Sequence, residues 1–275
     1  MKIKIISIIF PGTSIYESFN GTLLHNLNSA QFPIKVLSDG KYITQTPSNS
    51  LTIWNSKDDT THSKLFGHSD SINALAVLSN GLIASASKDK TVKIWNSTSG
   101  LAVLTLKGHD DSVLFLTELK DKMTLASACG CNVKVWNTTN GVLLGEFSAY
   151  DQHIINGLVY LKDGRLAIQQ DVDACFYDGS VCNVSPVVSV WNVTSNHSLD
   201  LNLREGTNLL FLVQLSNGIL IYAGYYSIYS CYVNEFGYDS YSWTATLHSE
   251  QITFLIALSQ DAIAVGANDG SLLIY

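Results

Sequence analysis

Residues 67–96 read GHSDSINALAVLSNGLIASASKDKTVKIWN. Within this stretch, INALAVL and LIASAS are two short apolar runs separated by Ser79-Asn80-Gly81. A third run, VKIW, follows the turn at Lys88-Asp89-Lys90. Short alternating runs bounded by Asn-Gly and Asp turns spell antiparallel strands joined by tight hairpins. A two-residue type I′ turn is expected at Asn80-Gly81, with both central residues at positive φ.

The same grammar recurs along the chain. LTIWN at 51–55, VKIWN at 92–96 and VKVWN at 133–137 place Trp54, Trp95 and Trp136 at intervals of 41 and 41. VSVWN follows at 188–192, with Trp191 a further 55 residues on, so an insertion lies between. LSDG at 37–40, LSNG at 78–81, LKDG at 161–164 and LSNG at 215–218 mark one hairpin per copy, and LSQD at 258–261 marks a later one. A fixed period of this length is the signature of a repeat architecture in which each unit buries its faces against its neighbours. Each unit reads as strands a, b and c, the last ending in Trp or Tyr, followed by an outer strand d such as LAVLTL at 101–106.

Six a-b-c units are expected, at 32–54, 71–95, 112–136, 154–191, 208–232 and 252–275. With their d strands the repeats run 32–65, 71–106, 112–147, 154–203, 208–247 and 252–275, in one domain over 1–275. IYESFNGTLLHNL at 15–27 aligns without gaps on IWNSTSGLAVLTL at 94–106, so 1–27 supplies a partial further unit with its own b, c and d strands. Seven units are therefore favoured. Six is the alternative, if Thr22–Leu27 directly completes the last unit. The missing a and d strands at the two ends suit a fragment or an atypical closure.

Residues 67–96 closely resemble a WD40 repeat: a Gly-His pair (Gly67-His68), a serine on strand b (Ser85 or Ser87), an aspartate in the b–c turn (Asp89) and a tryptophan on strand c (Trp95). The resemblance implies an all-β β-propeller of four-stranded antiparallel blades. It also implies a buried His-Ser-Asp-Trp network that holds each blade, since buried polar groups need partners. Blade three keeps Gly108-His109, Ser127 and Trp136, with Cys129-Gly130-Cys131-Asn132 in place of the aspartate turn. Blade six offers His248 and Asp269, without the serine and with Tyr275 for Trp. Blade one lacks the histidine and has Ser48 at the aspartate position. Tyr150 stands where blade four would carry the histidine, and Tyr226 where blade five would carry the aspartate. The usual terminal Trp-Asp is Trp-Asn throughout.

Composition narrows the function. The net charge is −7, and only two of 16 basic residues are arginines, with no basic cluster of the kind that binds nucleic acid. The apolar run Ile5–Phe10 is too short for a signal sequence, and no run reaches membrane-spanning length. Five cysteines without a framework spacing suit reduced thiols and a cytoplasmic home. Six Asn-x-Ser/Thr sequons leave secretion open but do not establish it, because Asn, Ser and Thr are abundant here.

His68, Asp89 and a blade-two serine have the composition of a nucleophilic triad, yet no Gly-x-Ser-x-Gly turn accompanies them, and the repeat context makes them structural. No P-loop or His-Glu-x-x-His pattern occurs. Cys129 and Cys131 have no second Cys/His pair nearby to complete a zinc set. Neither catalysis nor a cofactor or metal is expected.

The departure that bears on function is the insertion DVDACFYDGSVCNVSP at 171–186, assigned to the b–c turn of blade four. It brings Asp171, Asp173 and Asp178 beside Phe176 and Tyr177, a chemistry suited to a basic peptide or protein surface. Cys175 and Cys182 would pair only in an oxidising compartment. Blade five is rich in tyrosine (Tyr222, Tyr225, Tyr226, Tyr229, Tyr232, Tyr238 and Tyr241), and Tyr225 and Tyr226 fall in its b–c turn. By the WD40 resemblance, b–c turns and d–a loops form the top face where partners bind. The expected role is a non-catalytic protein- or peptide-binding scaffold. The alternatives are the propeller portion of a larger signalling or ubiquitin-ligase adaptor, and a central-channel enzyme or small-molecule binder, which the apolar a strands disfavour.

Overall fold

The structure is a computed structural model. It describes residues 4–9, 12–17, 23–27, 31–37, 39–46, 48–55, 58, 60–119, 123–148, 154–174, 183–192, 197–201, 211–224, 227–232, 240–246, 251–257, 262–267 and 271–274. Among these residues the chain is all-β and forms seven antiparallel sheets. The first is three-stranded: β1 (Lys4–Ile9), β2 (Gly12–Glu17) and β3 (Leu23–Leu27). Four-stranded sheets follow. Blade one is β4 (Gln31–Val36), β5 (Tyr42–Gln45), β6 (Leu51–Trp54) and β7 (Thr61–Leu65). Blade two is β8 (Ile72–Val77), β9 (Ile83–Ser87), β10 (Thr91–Trp95) and β11 (Ala102–Lys107). Blade three is β12 (Val113–Glu118), β13 (Thr124–Cys129), β14 (Asn132–Asn137) and β15 (Leu143–Ser148). Blade four is β16 (Ile154–Tyr160), β17 (Arg165–Ala174), β18 (Asn183–Asn192) and β19 (His197–Leu201). Blade five is β20 (Phe211–Gln214), β21 (Leu220–Ala223), β22 (Ser227–Tyr232) and β23 (Ser240–Thr246). Blade six is the three-stranded β24 (Ile252–Ala257), β25 (Ile263–Ala267) and β26 (Leu272–Ile274). Sheets of this kind are the blades of a WD40-type β-propeller. Two compact units divide the chain, Met1–Cys129 with Val135–Leu144, and Gly130–Lys134 with Gly145–Tyr275.

The a–b hairpins correct the turn expected from Asn-Gly. In LSNG, the Gly81 N–H donates to Leu78 O at 2.9 Å and the Leu78 N–H to Leu82 O at 2.8 Å. Gly81 has φ +84°, while Asn80 is not among the positive-φ residues. That is a three-residue loop, a type I turn closed by one left-handed glycine, rather than a two-residue type I′ turn. Gly40, Gly164 and Gly218 repeat it at φ +85°, +99° and +93°. The Asp or Asn before each glycine has a different task from the one its positive-φ tolerance suggested. Asp39, Asn80, Asp163 and Asn217 each accept, on Oδ1, the backbone N–H two residues on, at 3.0–3.1 Å.

The Trp-Asn pairs obey the same logic. Asn96 Oδ1 accepts the N–H groups of Thr98 and Ser99, and Asn137 Oδ1 those of Thr139 and Asn140. An acceptor oxygen is all this c–d turn requires, so asparagine serves where WD40 repeats usually carry aspartate. Gly100, at φ +72°, closes the turn, and a Cβ there would meet Lys64 O at 3.1 Å.

Blade faces interlock in the first unit. Ile43, Leu51, Ile53 and Leu65 of blade one pack with Ile72, Leu75, Ile83 and Trp95 of blade two. Val92, Ile94 and Leu106 from the other face of blade two pack with Val113, Leu125 and Trp136. In the second unit, Val188 and Val190 join Leu220 and Tyr222, while Ile221 and Ile228 join Ile252, Leu255 and Val265. Polar staples add direction to this packing. Glu118 Oε1 and Oε2 accept from Ser79 N at 2.9 and 3.0 Å, and Gln214 Oε1 accepts from Lys162 N at 2.8 Å. Each reaches back from an a strand to the a–b turn of the preceding blade.

Candidate functional site

Blade two carries a continuous polar relay. His68 enters from the loop before β8, Ser85 sits mid-β9, Asp89 lies in the b–c turn and Trp95 ends β10. His68 Nδ1 lies 2.7 Å from Asp89 Oδ2 and His68 Nε2 lies 2.7 Å from Ser85 Oγ. Trp95 Nε1 donates to the same Ser85 Oγ at 2.7 Å. The hydrogens follow from the chemistry of the groups. Ionised Asp89 only accepts, so Nδ1 carries the proton. Nε2 then accepts from the Ser85 hydroxyl, whose lone pair takes the indole N–H.

Two environments hold that protonation state. Burial pushes the His68 pKa below its ordinary value against the pull of Asp89, so the imidazole stays neutral. Burial pushes the Asp89 carboxyl up, but hydrogen bonds from Thr91, His68 and the Ser69 N–H outweigh it and leave its pKa lowered. Ser87 stands outside the relay: its hydroxyl donates to Asp70 O and accepts from Asp89 N, both at 3.0 Å, so it shapes the turn. Of the two candidate serines, Ser85 is the relay member.

The arrangement has a triad's connectivity without its access. Ser85 is 0% exposed, and its oxygen is already committed to the Trp95 indole. A nucleophile needs an exposed oxygen beside a site for the carbonyl it attacks. The chemistry available to these residues is cross-bracing of strands β9 and β10 to the incoming loop.

Blade three builds the relay with different atoms. His109 Nε2 lies 2.6 Å from Ser127 Oγ, and Trp136 Nε1 donates to that oxygen at 2.8 Å. His109 Nδ1 meets Cys129 Sγ at 3.0 Å. The thiol replaces the carboxylate and in turn donates to Asp110 Oδ1 at 3.6 Å. Burial pushes the Cys129 thiol up to about 11, so it is a protonated, unreactive group. Cys129 is a buried free thiol, Cys131 is half-buried and free, and Cys231 is buried. Among the described residues no group of three His, Cys, Asp or Glu is placed to hold a metal ion.

The other blades keep less. In blade one Trp54 Nε1 donates to Thr44 Oγ1 at 2.9 Å, a threonine in the serine's place that sequence reading missed. Counting ten residues back from the tryptophan, as from Trp95 to Ser85, would have found it. In blade four Leu166 pairs with Trp191, and Ile168 takes the acceptor position. Trp191 Nε1 is buried without a hydrogen-bond partner, and the indole stacks on Phe147 with ring centroids 4.8 Å apart. Tyr222 and Tyr229 of blade five stack at 5.0 Å, which places these two tyrosines within the blade. His248 and Asp269 of blade six lie outside the described residues.

Half of the blade-four insertion, 171–174 and 183–186, is ladder. β17 and β18 run ten residues each, and their pairing continues from Gln170↔Val187 through Asp171↔Pro186 and Asp173↔Val184 to Ala174↔Asn183. This corrects the assignment of 171–186 to a long turn: Asp171 and Asp173 stand on an extended strand, because alternating Val-x-Ala and Val-x-Pro-Val segments can continue the antiparallel pairing. Phe176, Tyr177, Asp178, Cys175 and Cys182 lie outside the described residues, as do Tyr225 and Tyr226.

Seven sheets of short antiparallel strands, two of them locked by His-Ser-Trp relays, define a β-propeller repeat protein. Residues 59–96 and 100–137 each match the family model described as WD domain, G-beta repeat. Residues 59–96 and 100–137 are thus two WD40 repeats, which supports a WD40-repeat family for the chain. No curated protein matches it significantly. The two matched stretches end on Trp95-Asn96 and Trp136-Asn137 and contain both complete relays. WD40 repeats generally act as scaffolds for protein–protein interaction and are generally non-catalytic. Among the described residues no helix is long and apolar enough to cross a membrane.

Proposed function

We propose that this chain is a non-catalytic scaffold that captures a basic protein or peptide segment with the hairpin of blade four. The observation that carries this reading is the length of β17 and β18, ten residues each where the strands of blade two have five or six. Segment 171–186 contains three aspartates and no lysine or arginine, with Phe176 and Tyr177 beside them. Acidic groups next to aromatic rings favour arginine- and lysine-bearing partners through charge and cation–π attraction. In the sequence Tyr225 and Tyr226 fall between β21 and β22 of the next blade, and they would add aromatic chemistry suited to the same partner. A cytoplasmic setting fits the free thiols of Cys129 and Cys131.

Affinity capture with the wild-type chain and with Asp171→Ala/Asp173→Ala/Tyr177→Ala tests the reading. Loss of captured partners by a variant that keeps its far-UV spectrum and melting temperature supports it. An unchanged captured set rejects it.

A further inference from the structure

The b–c turns of blades one and two are built on one template. Ser48 and Asp89 each stand six residues before their tryptophan, and Thr46, Asn49 and Ser50 match Ser87, Lys90 and Thr91. The backbones agree: among the described residues, Asn49 and Lys90 are the non-glycine residues with positive φ, at 56° and 68°. Their side chains make the same reach, Asn49 Nδ2 to Ser69 O at 3.4 Å and Lys90 Nζ to Asp110 O at 2.8 Å, each to the loop entering the following blade.

The two turns differ in charge. In blade two the Asp89 carboxylate collects Thr91 Oγ1 at 2.6 Å, Thr91 N and Ser69 N at 3.0 Å, and His68 Nδ1 at 2.7 Å. In blade one three hydroxyls face one another with no anion among them. Thr46 Oγ1 lies 3.0 Å from Ser48 Oγ and 2.6 Å from Ser50 Oγ, and Ser48 Oγ lies 3.1 Å from Ser50 Oγ. Ser50 is only 2% exposed and Thr46 is half-buried, whereas Ser48 is exposed.

We propose that Ser48 is a phosphoacceptor, and that its phosphate supplies blade one with the anion that Asp89 supplies to blade two. In the modification the Ser48 Oγ attacks the γ-phosphorus of a nucleoside triphosphate held by a protein kinase. The bond from that phosphorus to the β-phosphate oxygen breaks, nucleoside diphosphate leaves, and the hydroxyl proton passes to the kinase's base. The product carries a charge of about −1.5 to −2 at neutral pH. The hydroxyls of Thr46 and Ser50, already within 3.1 Å of Ser48 Oγ, turn their protons to it in charge-assisted hydrogen bonds. The turn that touches the blade-two loop through Asn49 is thereby stiffened.

Two measurements test this. Phosphopeptide mapping of the tagged chain from eukaryotic cells, with phosphatases inhibited, should find phosphate on Ser48; its absence there overturns the proposal. The chain carrying phosphoserine at position 48 by codon reassignment, and Ser48→Asp, should each melt about 2–4 °C above the unmodified chain. Ser48→Ala should stay within about 1 °C, and phosphatase treatment should reverse the phosphoserine gain. An unchanged or lowered melting temperature for the phosphorylated chain also overturns it.

Discussion

Ser85 and Ile168 occupy the same position in their sheets, two residues beyond the strand-b partner of the blade tryptophan, which is Ile83 for Trp95 and Leu166 for Trp191. One carries the oxygen that receives an indole N–H, and the other carries none. The orphaned Trp191 Nε1 is the consequence. Replacing Ile168 by Thr or Val, which share a shape, separates the hydroxyl from the volume. In an ordinary core the threonine variant is the weaker by about 1–2 kcal/mol. Here Ile168→Thr should equal or exceed Ile168→Val in denaturant midpoint, because Trp191 Nε1 gains the acceptor that Thr44 gives Trp54.

The two blade-two serines should differ sharply. Ser85→Ala strips a partner from both His68 Nε2 and Trp95 Nε1 in a buried site and should cost about 2–4 kcal/mol. Ser87→Ala loosens one turn and should cost about 1 kcal/mol. Urea unfolding of the two variants checks the ranking. Equal losses would show that the relay has no special weight.

Acid should unlock blade two in two stages. The pKa of His68 is lowered in the folded chain, so the unfolded chain takes up protons first, and stability falls as pH drops below the ordinary histidine value of 6.5. Asp89 is also lowered, so a second loss follows as pH drops below its ordinary 3.8. Stability from both groups is fully present above about pH 7. Thermal melts across pH 4–8 should show the first loss in the wild type and a smaller one in His68→Gln.

The thiols of blade three should react in a fixed order. Cys129 is 1% exposed with its pKa raised to about 11, while Cys131 is half-buried in the turn. Iodoacetamide at pH 8 should label Cys131 in the native chain and reach Cys129 only on unfolding. Peptide mapping reads the order, and faster labelling of Cys129 would contradict the buried His109–Cys129 contact.

Much of this architecture is present in the residues themselves. Trp54, Trp95 and Trp136 recur at 41-residue intervals, and Asp39-Gly40, Asn80-Gly81, Asp163-Gly164 and Asn217-Gly218 each mark an a–b hairpin, so the strands and their repetition are local properties of the chain. Periodicity and turn chemistry act over a few residues, and sequence displays them directly. The hairpin type was misread because Asn-Gly satisfies two turn geometries. Asn80 uses its side-chain oxygen rather than a positive φ, a choice made by the Leu82 N–H it meets.

The relay was legible only as a set of residue types. Which serine joins it, Ser85 or Ser87, cannot be read from alternation, because residues two apart share a face of β9; the register Ile83↔Trp95 and Ser85↔Lys93 puts Ser85 nearer the indole. No motif announces that Cys129 stands in for an aspartate, since a thiol substitutes only once His109 Nδ1 is brought within 3.0 Å. Blade four shows the same division. Its sequence declares an insertion, while pairing across strands, from Asp171↔Pro186 to Ala174↔Asn183, makes that insertion a lengthened sheet. Period and turn chemistry alone thus determined a repeat of antiparallel strands, and resemblance marked it as WD40-type. Tertiary structure decided the partners of each polar atom, because hydrogen bonds between residues 10 to 21 apart exist only when the strands between them are in register.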